Sequence, residues 1–386
     1  MGAVKRRIVI LGGSFGGLQA ARYTLDLLGD KADITVVNES DRIVFKPALT
    51  YLAAGMRSSA EELYIPLREK FANTSARLEV SRVSGIYPEE NKVELSSGSA
   101  IEYDYLVIAL GAVPDEKALP GLEEANANPW TLEGALKVRR ALENGARKVV
   151  VGSFKPPYPC PPAPIELAGL VAKTPLAGNG GVEVTLGFPG PRPLPPLGEE
   201  VSSKLEALIE STPIRYVRDF KPIEVDPGRK VLRHEGGEES FDVLALVPPY
   251  KVNPLIVEAG LASEGGWPRV LFEKGFRHGS YDNIYVIGDS SVAQYGAPMA
   301  GFLAGFMALG AARAIAEDLG EPVEAGGKKA YAKCFVDYID DGAAVFCDFT
   351  GLFTGEGGPH CHVIAEGGLV GEYKKALERY WRSFKL

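Results

Sequence analysis

The sequence predicts an α/β fold with two Rossmann-like domains and a small C-terminal domain, because the order strand, tight turn, helix occurs twice. The first occurrence has an apolar strand at residues 7–11, a glycine-rich turn at 12–17 and a helical pattern after it. The second has an apolar strand at 148–151, a turn that starts at Gly152 and a helix from about Ile165. Both arrangements are typical of nucleotide-binding domains.

The remaining elements follow from apolar runs and turn signals between these two units. We expect the first domain to comprise residues 1–112 and 270–322, the second residues 113–269, and the C-terminal domain residues 323–386 with an amphipathic tail helix. Within them we predict a strand at 33–38, a β-meander followed by a return strand over 77–109, a helix at 132–144, and strands at 182–187, 241–247 and 283–291.

Composition excludes several classes of protein. The net charge of −8 argues against general nucleic-acid binding, which needs a basic face. Four cysteines in 386 residues are too few for a disulfide framework. No apolar signal region precedes the first strand, so we expect a cytoplasmic protein. The Ala- and Gly-rich run at 297–312 predicts a buried helix rather than a membrane span, because it is short and small-sided.

The first turn has the sequence Gly-Gly-Ser-Phe-Gly-Gly, which matches a dinucleotide fingerprint in its structural context. Gly12 permits the tight turn, Gly17 allows the helix to pack closely on the strand, and Ser14 replaces the middle glycine. The helix N-terminus would then face a pyrophosphate. Asn38 and Glu39 end the second strand, where an acidic or amide side chain binds the adenosine ribose.

The second turn departs from this pattern. Six prolines and Cys160 occupy residues 153–164, and proline offers no N–H to a phosphate. We therefore predict a degenerate nicotinamide site whose chemistry centres on Cys160, with its thiolate favoured by the N-terminal dipole of the following helix. Glu166 either moves protons near Cys160 or complements the helix dipole.

Three stretches, at residues 12–17, 104–112 and 284–289, resemble the FAD motifs of the two-dinucleotide-fold flavoproteins. The resemblance implies non-covalent FAD, with Asp289 bonding the ribityl chain, although a helix N-cap is the alternative role for Asp289. The FAD-binding residues that it implies are Gly12, Ser14, Phe15, Gly16, Gly17, Asn38, Glu39, Lys46, Pro47, Val83, Ala109, Leu110, Gly111, Gly288, Asp289, Pro298 and Met299.

Within that superfamily, residues 159–166 resemble sulfide:quinone oxidoreductases and the flavin subunit of flavocytochrome c sulfide dehydrogenase. The resemblance pairs Cys160 with a C-terminal cysteine, here Cys334, and implies oxidation of sulfide through a disulfide–persulfide relay and FAD, with electrons passed to a membrane quinone. Two features depart from the family: residues 113–159 lack the additional cysteine that many members have, and Met299 follows Pro298 where a lysine is frequent.

Several alternatives stay open. Cys347 is a second candidate partner for Cys160, and two unrelated buried thiols are the alternative to any pairing. Cys361 between His360 and His362 has no common zinc spacing, so we expect no metal.

A type II NADH:quinone dehydrogenase needs an intact second glycine turn. A flavocytochrome subunit would be exported with a haem partner, and a soluble disulfide reductase would carry a close cysteine pair in its first domain. A flavin-bearing scaffold without turnover is the non-enzymatic alternative.

The tail at 369–386 predicts an amphipathic helix. Its apolar face comprises Tyr373, Leu377, Tyr380, Trp381 and Phe384, and its basic complement comprises Lys374, Lys375, Arg379, Arg382 and Lys385. This pattern favours a helix that lies on an anionic membrane, and the alternative is a helix docked on the core or on another subunit. We expect a homo-oligomer, peripheral to the cytoplasmic side of the cell membrane. Phe335 and Phe346 are either quinone contacts or plain core residues.

Overall fold

The computed structural model describes residues 5–176, 181–323 and 329–386. The helices are α1 (Phe15–Leu28), α2 (Leu49–Ala53), α3 (Arg68–Phe71), α4 (Leu122–Ala125), α5 (Leu132–Glu143), α6 (Ala163–Ala172), α7 (Glu199–Glu210), α8 (Pro254–Glu258), α9 (Gly301–Asp318), α10 (Thr350–Thr354) and α11 (Val370–Ser383). The strands up to the second sheet are β1 (Arg6–Leu11), β2 (Ala32–Asn38), β3 (Arg42–Val44), β4 (Tyr64–Pro66), β5 (Arg77–Val80), β6 (Val83–Tyr87), β7 (Lys92–Leu95), β8 (Ala100–Glu102), β9 (Tyr105–Ile108) and β10 (Ala112–Pro114). The later strands are β11 (Lys148–Ser153), β12 (Glu183–Gly187), β13 (Ile214–Val217), β14 (Pro222–Asp226), β15 (Val231–His234), β16 (Gly237–Ser240), β17 (Val243–Val247), β18 (Tyr250–Val252), β19 (Val270–Leu271), β20 (Arg277–His278), β21 (Ile284–Val286), β22 (Tyr331–Asp337), β23 (Gly342–Asp348) and β24 (His360–Glu366).

The first sheet has seven strands in the order β19-β20-β21-β9-β1-β2-β5. The strands from β21 to β5 run parallel, and their apolar residues are buried because helices cover the sheet. Small residues let α1 and α9 approach each other closely, since a Cβ atom at Gly305 would lie 2.4 Å from Oε1 of Gln19. Parallel strands end at one edge, so this order brings the turns after β1, β9 and β21 together.

One predicted element belongs elsewhere. The sequence pattern places residues 77–80 at the start of the β-meander, but β5 is the edge strand of the parallel sheet, paired with β2. The meander consists of β6, β7 and β8, which pair antiparallel. The error arises because a short alternating strand has the same pattern in both settings.

The second sheet is parallel, in the order β13-β12-β11-β17. Gly152 lies opposite Gly187 where β11 meets β12, and a Cβ atom at Gly152 would lie 2.2 Å from the carbonyl oxygen of Gly187. The two backbones therefore need a glycine at this position. The turn that carries the prolines leaves the sheet immediately afterwards and leads into α6.

The C-terminal sheet is the antiparallel set β22-β23-β24, and α11 packs against it. Cys347 and Cys361 are directly opposite each other on β23 and β24 and form a disulfide, with S–S 1.98 Å. The predicted Ala- and Gly-rich helix is α9, and its residues are largely buried. Among the described ranges, none of the helices combines the length and the apolar composition needed to cross a bilayer.

Candidate active site

A cavity of about 1710 Å³ runs from the first glycine turn, past the proline turn, to the C-terminal sheet and α11. It is lined by nearly all the residues that the sequence singles out. From the first domain these are Gly12, Ser14, Phe15, Gly16, Asn38, Glu39, Lys46, Pro47, Val83, Ala109, Leu110, Gly111, Gly288, Asp289, Pro298 and Met299. From the other two regions they are Cys160, Glu166, Cys334 and Phe335. Gly17 and Phe346 are not among the lining residues.

The first glycine turn has the backbone geometry of a nucleotide cradle. Gly12 has φ +100°, and a Cβ atom there would lie 2.4 Å from the carbonyl oxygen of Ala109. Gly17 lies behind the turn, and a Cβ atom there would lie 1.7 Å from the carbonyl oxygen of Gly12. The side chain of Ser14 makes no capping hydrogen bond to α1, so it does not compete for the N–H groups of the first turn. Those N–H groups are available to an anion.

Asn38 supports the turn directly. Its Oδ1 accepts a hydrogen bond of 2.8 Å from the backbone N–H of Gly13, and its Nδ2 donates to the carbonyl oxygen of Ser40 at 2.7 Å. Glu39 is exposed at the rim, 3.6 Å from Arg82. Of the two residues expected at a ribose, Asn38 therefore already has partners on both atoms of its amide group, and Glu39 is the one with oxygens facing solvent.

Asp289 lies just after β21, in the short 3-10 turn Gly288–Ser290. Within the described ranges no donor is hydrogen-bonded to its carboxylate, so it caps no helix there and the N-cap alternative is wrong. Burial raises the pKa of Asp289 to about 6, and Lys46 opposes that shift. A carboxylate without a partner that lines a cavity fits a ligand with several hydroxyl groups. The neighbouring Ser290 hydroxyl joins this turn to Gly111, accepting from its N–H at 2.8 Å.

Cys160 lies just before α6 and has an unusual backbone conformation. Its φ of +46° lies in the left-handed region, which an L-residue with a side chain adopts at a cost of about 1–3 kcal/mol. Its N–H donates to the carbonyl oxygen of Met299 at 2.9 Å, and Pro159 pairs with Met299. The proline turn and the loop at 298–299 are thereby joined, and strained backbone of this kind is frequent at functional sites.

Cys334 reaches the same cavity from β22, where it lies opposite Val345. Both Cys160 and Cys334 are free thiols and partly exposed. Burial raises the pKa of the Cys160 thiol, and the nearby Cys334 and Glu166 raise it further. Burial raises the pKa of the Cys334 thiol to about 11. The expected lowering of the thiol pKa of Cys160 is therefore wrong, because burial raises that pKa.

The other two cysteines take no part in this cavity. Cys347 is bonded to Cys361, and neither of them lines the cavity. Cys347 is thus excluded as the partner of Cys160. Within 5–176, 181–323 and 329–386, no three His, Cys, Asp or Glu side chains come together in a way that could hold a metal ion. Cys347 and Cys361 each lie near the end of one strand of an antiparallel pair. That position is the sequence signal for their disulfide, and it was missed.

A buried ion pair forms part of the cavity wall. Oε2 of Glu166 accepts from Nζ of Lys374 at 2.5 Å and from Oγ1 of Thr50 at 2.7 Å. Its Oε1 accepts from the backbone N–H of Asp337 at 3.1 Å. Burial raises the pKa of Glu166 even though Lys374 and Thr50 oppose the shift. The hydroxyl of Tyr51 donates to Asp337 at 2.6 Å, which extends the network.

The tail helix docks on the first domain instead of presenting one continuous apolar face. Trp381 is buried, and its ring centroid lies 4.6 Å from that of Phe15. Lys374 belongs to the buried ion pair, and the Arg382 guanidinium binds Glu378 and backbone carbonyl groups of Glu62 and Tyr64. The predicted membrane face and basic complement are therefore wrong for these three residues. Helical periodicity gives the spacing of residues but does not show which side meets the protein.

An adjacent side of α11 does reach solvent beside the cavity mouth. Tyr373 and Tyr380 are about half exposed and line the cavity, and Leu369 is 71% exposed. The Phe335 ring stacks on that of Tyr373, with centroids 6.3 Å apart and planes at 15°. Phe346 contacts Tyr331 and His362 instead, so the structure does not bring it into the cavity as a quinone contact.

Comparison with known proteins agrees with this architecture. Residues 6–304 match the family model described as pyridine nucleotide-disulphide oxidoreductase. A sulfide-quinone reductase of Aquifex aeolicus (strain VF5) is 25% identical over 404 residues, which cover 97% of this chain and 90% of the relative. A mitochondrial sulfide:quinone oxidoreductase of Mus musculus is 25% identical over 307 residues, which cover 73% of this chain and 65% of the relative.

Solved structures give the same fold. The X-ray structure of the sulfide:quinone oxidoreductase from Aquifex aeolicus has a TM-score of 0.81 at 22% identity, covering 98% of this chain and 91% of that one. The structure of NDH2 from Plasmodium falciparum in complex with NADH has a TM-score of 0.73 at 14% identity, covering 99% and 96%. The predicted α/β fold with nucleotide-binding domains and a C-terminal helix is confirmed.

Proposed function

Because this chain belongs to the pyridine nucleotide-disulphide oxidoreductase family, we propose that it is an FAD-dependent sulfide:quinone oxidoreductase that works through Cys160 and Cys334. One observation carries the proposal: both free cysteines open onto the cavity that also contains the glycine turn and Asp289. The relatives named sulfide-quinone reductase and sulfide:quinone oxidoreductase support it.

The residues present fit FAD. The turn at Gly12 has no room for a side chain, the N–H groups at the start of α1 suit a pyrophosphate, and Asp289 lacks a hydrogen-bond partner among the described residues. Glu39 would bind the adenosine ribose, and Asp289 the ribityl hydroxyl groups. Bound FAD would supply a two-electron acceptor that can pass the electrons on. The proposed division into domains 1–112 with 270–322, 113–269 and 323–386 is supported by the three main sheets.

The cysteines would act first as a disulfide. A hydrosulfide ion attacks one sulfur of the Cys160–Cys334 disulfide, so that a new S–S bond forms to sulfide and the old one breaks. One cysteine then carries a persulfide and the other a thiolate. The protein disfavours that thiolate, because burial raises the pKa of both thiols. That cysteine sulfur would then bond to the outer sulfur of the persulfide, releasing one proton and passing two electrons to bound FAD, and the resulting trisulfide would keep the sulfur.

Glu166 would hold or move a proton at the cavity wall. Its carboxyl group lies between Lys374 and Thr50, and its pKa is raised by burial. A carboxyl group with a raised pKa can carry a proton nearer to neutral pH than an exposed one. We assign Glu166 to proton transfer beside the cysteines and the quinone, which leaves with the electrons.

NADH is excluded as a physiological donor on this proposal. The turn after Gly152 contains six prolines over residues 153–164, which remove the N–H groups that a pyrophosphate would need. No observation favours a type II NADH dehydrogenase or a flavocytochrome subunit over the sulfide enzyme. A quinone is the acceptor that fits the apolar mouth of the cavity.

That mouth also defines the proposed contact with the membrane. Apolar side chains that line the cavity here are each more than a third exposed to solvent. They are Phe302, Tyr331, Ile364, Tyr373 and Tyr380. We propose that this rim, with Leu369, rests in the interfacial layer of a bilayer, on the cytoplasmic side, and admits quinone. Phe335, stacked on Tyr373, would be an inner contact of the quinone ring.

Anaerobic titration of the purified flavoprotein with sulfide tests the function. We expect the flavin absorbance to bleach on adding sulfide and to return on adding a quinone analogue. Bleaching by NADH at a comparable rate, or no bleaching by sulfide, contradicts the proposal.

A further inference from the structure

The inner face of α11 is built against the glycine turn. The Trp381 ring lies 4.6 Å from the ring of Phe15, at an interplanar angle of 65°. Phe15 is the first residue of α1 and lies within the glycine turn at 12–17. Two other residues enclose the same ring: the Phe45 ring centroid lies 6.2 Å from it, and a Cβ atom at Gly301 would lie 3.2 Å from its nearest carbon. Both Phe15 and Trp381 line the cavity.

Lys70 fixes the end of this helix. Its side chain is 3% exposed, and its Nζ donates to the carbonyl oxygens of Trp381 at 2.8 Å, Arg382 at 3.3 Å and Phe384 at 2.9 Å. Helix-end carbonyl groups lack partners within the helix and carry the negative end of its dipole, so a buried cation suits them. In the described residues no carboxylate forms an ion pair with Lys70, so the three carbonyl groups are what compensates its burial.

Further polar contacts join α11 to the first domain. Arg57 binds Glu378 at 2.5 Å, and Arg22 donates to the carbonyl oxygen of Lys385 at 2.9 Å. These contacts lie around Trp381, in the C-terminal half of α11 and just beyond its end. A helix needed only for contact with a membrane or another subunit would not require a buried lysine beneath its last turn.

We propose that α11 is a wall of the dinucleotide site and that Lys70 is a positioning residue, which holds Trp381 against Phe15 and thereby keeps the glycine turn in its binding geometry. The proposal rests on the FAD site proposed above. If FAD binds only when α11 is docked, then docking strengthens FAD binding and FAD strengthens docking by the same factor. Bound FAD should therefore protect the tail.

The first experiment uses the wild-type chain. The FAD-free protein is prepared and compared with the same protein after FAD is added back. Limited trypsin digestion measures the rate of cleavage at the exposed Arg379. Quenching of flavin fluorescence measures FAD binding separately. We expect the tail to be cleaved at least several-fold more slowly with FAD bound. Equal rates with and without FAD overturn the coupling, whereas a wild-type chain that binds no FAD at all overturns the proposed cofactor instead.

Two substitutions and a matched control follow. Lys70→Met should weaken FAD binding by about tenfold or more, since hydrogen bonds from a charged group to the last turn are lost, and Lys70→Arg should restore part of it. Lys375→Met removes the same charge from an exposed position on α11, which pairs with Glu372, and should leave affinity unchanged. Trp381→Leu keeps the Lys70 contacts and should also weaken binding. FAD affinities of Lys70→Met and Trp381→Leu within twofold of wild type refute the role of α11.

Discussion

The carboxylate of Glu166 lies 2.5 Å from the ammonium group of Lys374, and the two side chains are 3% and 5% exposed. Glu166 belongs to α6 and Lys374 to α11, and the two residues are 208 positions apart in the sequence. The pair therefore links the proline turn that carries Cys160 to the tail helix. Breaking such a pair leaves one buried charge without compensation, which costs more than the pair itself contributes.

We expect Glu166→Gln and Lys374→Met each to lower the free energy of unfolding by about 3–5 kcal/mol, measured by urea denaturation of the flavin-free protein. The double variant should recover much of that loss, because it buries no unpaired charge. The exposed pair of Lys375 and Glu372 is the control, and removing it should change stability by less than about 1 kcal/mol. Additive losses in the double variant would contradict this account.

Cys160→Ser and Cys334→Ser should each abolish bleaching of the flavin by sulfide, because neither variant can form the disulfide that hydrosulfide attacks. Stopped-flow absorbance of the flavin measures the rate. The matched control is Cys347→Ser with Cys361→Ser, which removes a disulfide outside the cavity and should leave bleaching within a few-fold of wild type. An active Cys334→Ser variant would show that the relay has another partner.

The sequence predicted the fold and most of the residues that line the candidate cavity, because its signals are local. The glycine turn needs glycine at Gly12 for the close approach of Ala109, and the proline turn is visible in the residue order itself. The partners of α11 were not predictable, since Lys374 and Trp381 contact Glu166 and Phe15, which are more than 200 residues away. Their helical spacing fits both a membrane face and a docked face. The Cys347–Cys361 disulfide depended on strand register, which a single sequence does not fix.

We expect the proposed FAD binding to depend on the ionisation of Asp289. Burial raises the pKa of Asp289 to about 6 in the flavin-free protein, so its carboxylate is disfavoured there. The contribution of the protonated Asp289 carboxyl group to the free energy of unfolding is complete below the ordinary pKa near 3.8. It is lost as the pH rises through about 6. Flavin hydroxyl groups would bind the carboxylate form, so FAD affinity should fall by up to about tenfold for each pH unit below about 6. Asp289→Asn should bind more weakly at pH 8 and show no such slope; an unchanged slope in that variant would assign the pH effect to another group.

The proline turn predicts a slow reaction with NADH. We expect the initial rate of flavin reduction by NADH to be at least about a hundredfold below that by sulfide under the same conditions, because the turn lacks the N–H groups that bind a pyrophosphate. Anaerobic stopped-flow measurements with each donor make the comparison. Comparable rates would favour an NADH:quinone dehydrogenase and would remove the proposed role of the cysteines.

Membrane attachment is best tested on the exposed rim, not by deleting the tail. Removing residues 369–386 would also remove Lys374 from Glu166 and Trp381 from Phe15, so a loss of activity would not identify the membrane contact. Leu369→Glu and Phe302→Glu change side chains that are 71% and 36% exposed. We expect each to reduce binding to anionic liposomes in a sedimentation assay by about fivefold or more, and to slow reduction of a long-chain quinone while bleaching by sulfide is unaffected. Ile223→Glu is the control, since Ile223 is 46% exposed on β14 and does not line the cavity. If the control loses liposome binding as strongly as the two rim variants, the effect comes from net charge and the rim is not the attachment surface.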